Sequence, residues 1–294
     1  MRFGFTVLAA LCVVGAQAQS LYVTTTDGIS KYAPNGTSTV FASGLTSNGP
    51  ERMTFDASGN LYMSAVYTGE VDKFTPDGHR TIYASGIPIP MGLAFDASGN
   101  LYTTSNYSNI VKITPTGAVS TVVSGITNPF DLTFDSAGNM YYTSTTGLYK
   151  RTPTGTISTI ASVPGLPGGN FVGLAMDKSG NFYLGDYNNH SIQKVTAGGL
   201  VSTFATLSYS PEGMAIDNSG NLFAIEYNAG SSRILEYDPL GNMSVFATGL
   251  SYPEGLAFYS PAETSTPEPG ALAALAGALI ASGTMLRRRR STGK

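Results

Sequence analysis

Short alternations of apolar and polar residues, broken by Gly-containing turns, run through the chain from about residue 20 to residue 259. Triplets such as Met53–Phe55, Leu93–Phe95, Leu132–Phe134, Leu174–Met176, Met214–Ile216 and Leu256–Phe258 read as short strands. A Leu-Tyr type strand, an Ile-x-Lys type strand and a Ser-Thr-x-Phe-Ala type strand follow in each unit. No stretch of this region carries the 3.6-residue period of a surface helix.

The pattern repeats. Asp56-Ala57-Ser58-Gly59-Asn60-Leu61-Tyr62 returns at Asp96, Asp135, Asp177 and Asp217, with starts 40, 39, 42 and 40 residues apart. In this turn the Asp side chain caps its own backbone and the Gly supplies positive φ. These loops lack the ligand spacing and the closing Glu of a twelve-residue calcium loop. A second turn places Gly two residues after Pro, as at Pro34–Gly36, Pro76–Gly78, Pro115–Gly117, Pro153–Gly155 and Pro239–Gly241, with Ala197–Gly199 in the sixth place. Four short strands per period of about 40 residues is the signature of a propeller blade.

The phase predicts closure. The repeat region opens on a second strand, Leu21-Tyr22, and ends on a first strand, Leu256-Ala257-Phe258. Pairing them completes a sixth blade and removes the open edges of a linear array. The expected fold is all-β: a six-bladed propeller over 19–260, closed by its C-terminal first strand and its N-terminal remnant, with one C-terminal transmembrane helix.

The ends read as addresses. Arg2, the apolar run Val7–Val14 and Ala16-Gln17-Ala18 have the form of a secretory signal peptide over residues 1–18. The only cysteine, Cys12, lies inside it, so the exported chain carries no thiol and no disulfide. Residues 261–269 form a linker ending in Pro267-Glu268-Pro269. Residues 270–290 hold a weakly hydrophobic run followed by four arginines, which hold that end in the cytoplasm.

Charge narrows the partners. The whole chain has a net charge of −3, yet residues 19–266 contain ten Lys/Arg and eighteen Asp/Glu, while five basic residues crowd the last eight positions. An acidic body is unsuited to nucleic acid, tolerates cations or neutral ligands, and is expected to be a monomer.

The tail resembles the PEP-CTERM sorting signal. That resemblance implies recognition by an exosortase-type sorting protease, transient anchoring in the inner membrane, and release or display at the cell surface. The repeats, Leu184-Gly185-Asp186-Tyr187-Asn188-Asn189-His190-Ser191-Ile192 above all, resemble NHL units. Pro-Glu-Gly-Leu-Ala-Phe (253–258) and the Asp-x-Ser-Gly-Asn-Leu-Tyr turns resemble both NHL and gluconolactonase or senescence-marker-type propellers.

In such a ring the first strands line the central channel. The residues at their starts are Glu51, Met91, Phe130, Val172, Glu212 and Glu254. The three glutamates fall in consecutive blades, and Asp131 adds an acid one residue further on. Clustered carboxylates raise each other's pKa unless a cation neutralises them, and Ca²⁺ or another divalent cation would suit such oxygen ligands. Arg52 is the alternative partner. The gluconolactonase resemblance implies a Glu, an Asn and an Asp holding a catalytic divalent metal; Glu51 and Glu212 match in place, but Met91, Phe130 and Val172 stand where Asn is expected.

Loops between second and third strands share the mouth face and carry Tyr67, Asn106, Tyr107, Asp186, Tyr187, Glu226 and Tyr227, a composition suited to sugar recognition. His190 is a weak candidate general base. No nucleophile elbow, metalloprotease helix or phosphate loop is present. The sequence leans toward a binding or scaffold module for extracellular polysaccharide. The alternative is a divalent-metal-dependent hydrolase or lyase.

Overall fold

In a computed structural model that describes residues 19–162 and 170–259, the chain forms six four-stranded antiparallel sheets. Blade 1 pairs Leu256–Tyr259, Ser20–Thr25, Gly28–Tyr32 and Ser38–Ser43 in that order. Blades 2 to 6 begin with inner strands Pro50–Phe55, Pro90–Phe95, Leu132–Phe134, Phe171–Met176 and Ser210–Ile216, and each runs outward through three further consecutive strands. The expected closure is present: Ser20, Leu21, Tyr22 and Val23 pair with Tyr259, Phe258, Ala257 and Leu256.

The turns form as their chemistry dictates. Asp56 Oδ1 accepts the Ser58 and Asn60 backbone N–H groups at 2.9 Å, and Oδ2 accepts the Asn60 side-chain amide at 2.7 Å and the Tyr62 hydroxyl at 3.2 Å. Gly59 closes the turn at φ 82°. The Asp96 and Asp135 turns repeat the set. These bonds hold the three aspartates below the ordinary carboxylate value against the opposing effect of burial.

Packing between blades follows from the same repeat. In blades 1 to 3 the Tyr of the Leu-Tyr strand meets the aromatic ring ending the next inner strand: Tyr22 with Phe55, Tyr62 with Phe95 and Tyr102 with Phe134, each at a centroid distance of 4.9 Å. Phe223 and Phe258 make the same contact across the closure. Such pairs add about 0.5–1.5 kcal/mol beyond their burial.

There is no helix among the described residues, and none there is long and apolar enough to cross a membrane. The signal peptide, the linker, the Pro267-Glu268-Pro269 motif and the transmembrane helix expected from sequence all lie outside the described residues.

Candidate functional site

The site is built on the starts of the six inner strands. One residue beyond the positions compared above stand Arg52, Gly92, Asp131, Gly173, Gly213 and Gly255. The four glycines have a steric cause. A Cβ on Gly173 would lie 2.3 Å from the Glu212 carbonyl oxygen, on Gly213 2.5 Å from that of Glu254, and on Gly255 2.3 Å from that of Glu51. At this level the ring is too narrow for side chains in most blades.

The ring carbonyls need donors, and two devices serve five of the six. In blades 1 to 3 a hydroxyl on the second strand bridges to the next blade: Thr24 Oγ1 donates to Glu51 O at 3.0 Å, Ser64 Oγ to Met91 O at 2.7 Å, and Thr104 Oγ1 to Phe130 O at 3.0 Å. The same oxygens accept the backbone N–H groups of Gly255, Arg52 and Gly92. Blades 5 and 6 carry Gly185 and Ile225 at that position, and Thr143 in blade 4 donates to its own Asp131 carbonyl. There Arg52 takes over. Its Nη2 donates to Val172 O at 2.7 Å and its Nη1 donates to Glu254 O.

Arg52 is also the centre of charge. Its guanidinium stands 3.5 Å from carboxylate oxygens of both Glu51 and Glu212, and Arg52 and Glu212 are buried. Asp131, buried in blade 4, accepts Leu132 N at 2.9 Å and Leu174 N at 3.1 Å, and so ties blade 4 to blade 5. Burial pushes all four acids upward: Glu212 to about 7, Glu254 to about 8, with Glu51 and Asp131 also raised. Arg52 opposes that shift in each, while repulsion from Glu51 and Glu212 adds to it at Glu254. The guanidinium is itself held more firmly protonated by these acids.

Below this level is a cavity of about 160 Å³, lined by Met53, Leu93, Leu132, Leu174, Met214 and Leu256 from the six inner strands, with Arg52 and Asp131. The guanidinium already stands between two of the acids, and no group of three or more His, Cys, Asp or Glu among the described residues is arranged to hold a metal ion.

The loop candidates divide. Asp186 is fully buried and accepts Asn189 N at 3.3 Å and its side-chain amide at 2.8 Å. Glu226 is buried too; it accepts Ser208 N at 2.7 Å and Tyr209 N at 3.3 Å and pairs with Arg233. Both acids hold loops in shape. Tyr67, Asn106 and Tyr107 are exposed, Tyr187 and Tyr227 half-buried. His190 is exposed in a left-handed conformation at φ 48°, and its carbonyl accepts Leu207 N. Sequence reasoning missed Thr24, Ser64, Thr104 and Tyr252. The first three were visible as a hydroxyl three residues after the Leu of each Leu-Tyr strand.

A groove of about 310 Å³ lies at the mouth between blades 1 and 2, with Tyr67, Tyr252, Glu51 and Glu254 among its lining residues.

Comparison with known proteins gives one family model, the NHL repeat, over residues 172–195. No curated protein matches in sequence. Among solved structures, one chain of a nidogen/laminin complex is similar with a TM-score of 0.72 at 16% identity, covering 83% of this chain and 99% of that one. A streptogramin B lyase gives 0.62 at 15% identity, with coverages of 82% and 88%. A gluconolactonase from Xanthomonas campestris gives 0.61 at 16%, again with 82% and 88%. At these identities the likeness is one of fold, and the chain is an all-β six-bladed propeller carrying an NHL repeat.

Proposed function

We propose that the protein is an exported propeller that works as a binding or scaffold module for extracellular polysaccharide, with its ligand on the mouth face. The observation that carries this reading is Arg52. A hydrolase built on channel carboxylates needs them free for a cation, and here two of them face a buried guanidinium that also bonds the ring carbonyls of Val172 and Glu254. The channel entrance is thereby committed to structure, and recognition falls to the rim. Exposed tyrosines beside hydroxyls and carboxylates suit sugar rings, whose faces stack on aromatic surfaces and whose hydroxyls need hydrogen-bond partners. The nidogen/laminin likeness shows that a propeller of similar shape occurs in a protein–protein complex.

The leader-like residues 1–18 support export, and the Pro267-Glu268-Pro269 tail supports handling by a sorting protease that leaves the propeller on the cell surface or free outside it. The lyase and gluconolactonase likenesses keep a second reading, a metal-dependent hydrolase or lyase using Glu51, Glu212 and Glu254. One experiment separates the two. The purified protein is screened for retention on polysaccharides and for turnover of lactones with Ca²⁺, Mg²⁺ or Zn²⁺. Saturable binding without turnover supports the module. Turnover abolished by Glu212→Gln overturns it.

A further inference from the structure

The groove between blades 1 and 2 identifies the class of ligand more closely, and this step rests on the binding reading above. Two aromatic rings border it. Tyr67 is 76% exposed although its ring is seated over Gly49, where a Cβ would lie 2.8 Å from the ring carbons. Glycine at 49 therefore makes room for the ring. Tyr252 is 46% exposed and packs on Tyr227 at a centroid distance of 6.0 Å.

Two threonine hydroxyls of the groove give their hydrogens inward. Thr26 Oγ1 donates to Ser251 O at 3.3 Å, and Thr46 Oγ1 donates to Asp27 Oδ1 at 3.1 Å. Their hydroxyl hydrogens are spent within the protein, which leaves lone pairs for a ligand. Glu51 and Glu254 add carboxylate oxygens to the same lining. Positive charge is short. Among the described residues Arg52 is the one cation within ion-pair distance of Glu51 or Glu212, and none lies within that distance of Glu254. The groove is aromatic-walled, acceptor-rich and under-compensated, so its complement is a flat-faced ligand rich in donors and carrying positive charge.

We infer that the groove takes an amino-sugar unit of a glycan, its ring against Tyr67 and Tyr252 and its primary ammonium group on Glu254. A neutral N-acetylated sugar offers the same ring and loses the charge-assisted hydrogen bond. Such a bond contributes about 1.5–3 kcal/mol, which is about tenfold or more in affinity.

The test is calorimetric titration of the purified protein at pH 8, about the value to which Glu254 is raised and near which an amine still carries much of its proton, with a glucosamine hexamer, its fully N-acetylated counterpart and a neutral glucose hexamer. The expected result is that the glucosamine hexamer binds at least about tenfold more tightly than either of the others. Glu254→Gln should erase that margin while leaving the melting temperature at or above that of the parent. Tyr67→Ala, at an exposed position, should weaken the glucosamine hexamer about tenfold. Equal affinity for the three hexamers, or tighter binding of an uncharged one, overturns the amino-sugar assignment and leaves the glycan-binding reading standing. Absence of binding to all three, and to a wider panel of polysaccharides, overturns both.

Discussion

Two halves of one ring solve the same problem with different chemistry. From blade 1 to blade 4, neighbouring inner strands are joined by small hydroxyls: Thr24, Ser64 and Thr104 each serve a carbonyl in the next blade. In the rest of the ring blade 4 turns its Thr143 hydroxyl to its own Asp131 and blade 6 carries Ile225, and one arginine from blade 2 reaches over to the Val172 and Glu254 carbonyls that these positions would serve. The hydroxyl half is local and modular, each bond being written into its own repeat. The guanidinium half is concentrated in a single side chain that also balances the channel acids. A propeller can distribute its central hydrogen bonds or pool them, and pooling makes one residue much more consequential.

The largest effect expected from this contrast is that of Arg52→Met. It strips donors from two ring carbonyls and leaves buried acids without their cation. Breaking a buried ion pair from one side costs about 3–5 kcal/mol, or roughly 6–20 °C in melting temperature for a domain of this size. Differential scanning calorimetry checks it. A loss no larger than that of a hydroxyl variant would mean the two halves are equivalent.

A change of pH sharpens the same comparison. Glu212 and Glu254 are raised from 4.5 to about 7 and about 8, so the folded state holds protons that the unfolded chain has already released. Their contribution to stability is fully present below the ordinary value and is lost as pH rises through the folded values. The turn acids Asp56, Asp96 and Asp135 act in the opposite sense, contributing above the ordinary carboxylate value and losing that contribution as pH falls through their lowered values. Thermal melts should therefore show lower stability at pH 9 than at pH 6, together with a decline at strongly acid pH. In Glu254→Gln the fall between pH 6 and 9 should shrink.

Thr24→Val comes next. It leaves the Gly255 N–H and the Glu51 carbonyl without their hydroxyl partner, at a cost of about 1–3 kcal/mol, measurable by urea denaturation. The smallest effect is that of Tyr62→Phe. It removes one 3.2 Å bond from the edge of a turn that Asp56 already holds through three others, for about 0.5 kcal/mol.

The fold was legible because it is written repeatedly. Each Asp-x-Ser-Gly-Asn turn marks the hairpin between first and second strands, and the half-blade at either end of the repeat region predicted the pairing of Leu256–Tyr259 with Ser20–Val23 that closes the ring. The glutamates at the mouth were legible for the same reason, since aligned repeats align strand starts. The reach of Arg52 was not. Its partners Val172 and Glu254 lie 120 and 202 residues away in sequence, and only a closed ring brings them under one guanidinium. Asp186 and Glu226 show the converse limit. Their positions in mouth loops suggested ligand contact, while their burial and their bonds to loop N–H groups depend on how each loop folds back, which no local pattern records.

In the proposed binding module the channel acids are balanced by Arg52 and not by a metal ion. Anything that binds the folded state alone raises its melting temperature, so the direct measurement is the melting temperature of the EDTA-treated protein titrated with Ca²⁺, Mg²⁺ and Zn²⁺ to millimolar concentration. No saturable rise is expected with any of the three. A saturable rise of several degrees, abolished by Glu212→Gln, would contradict that balance.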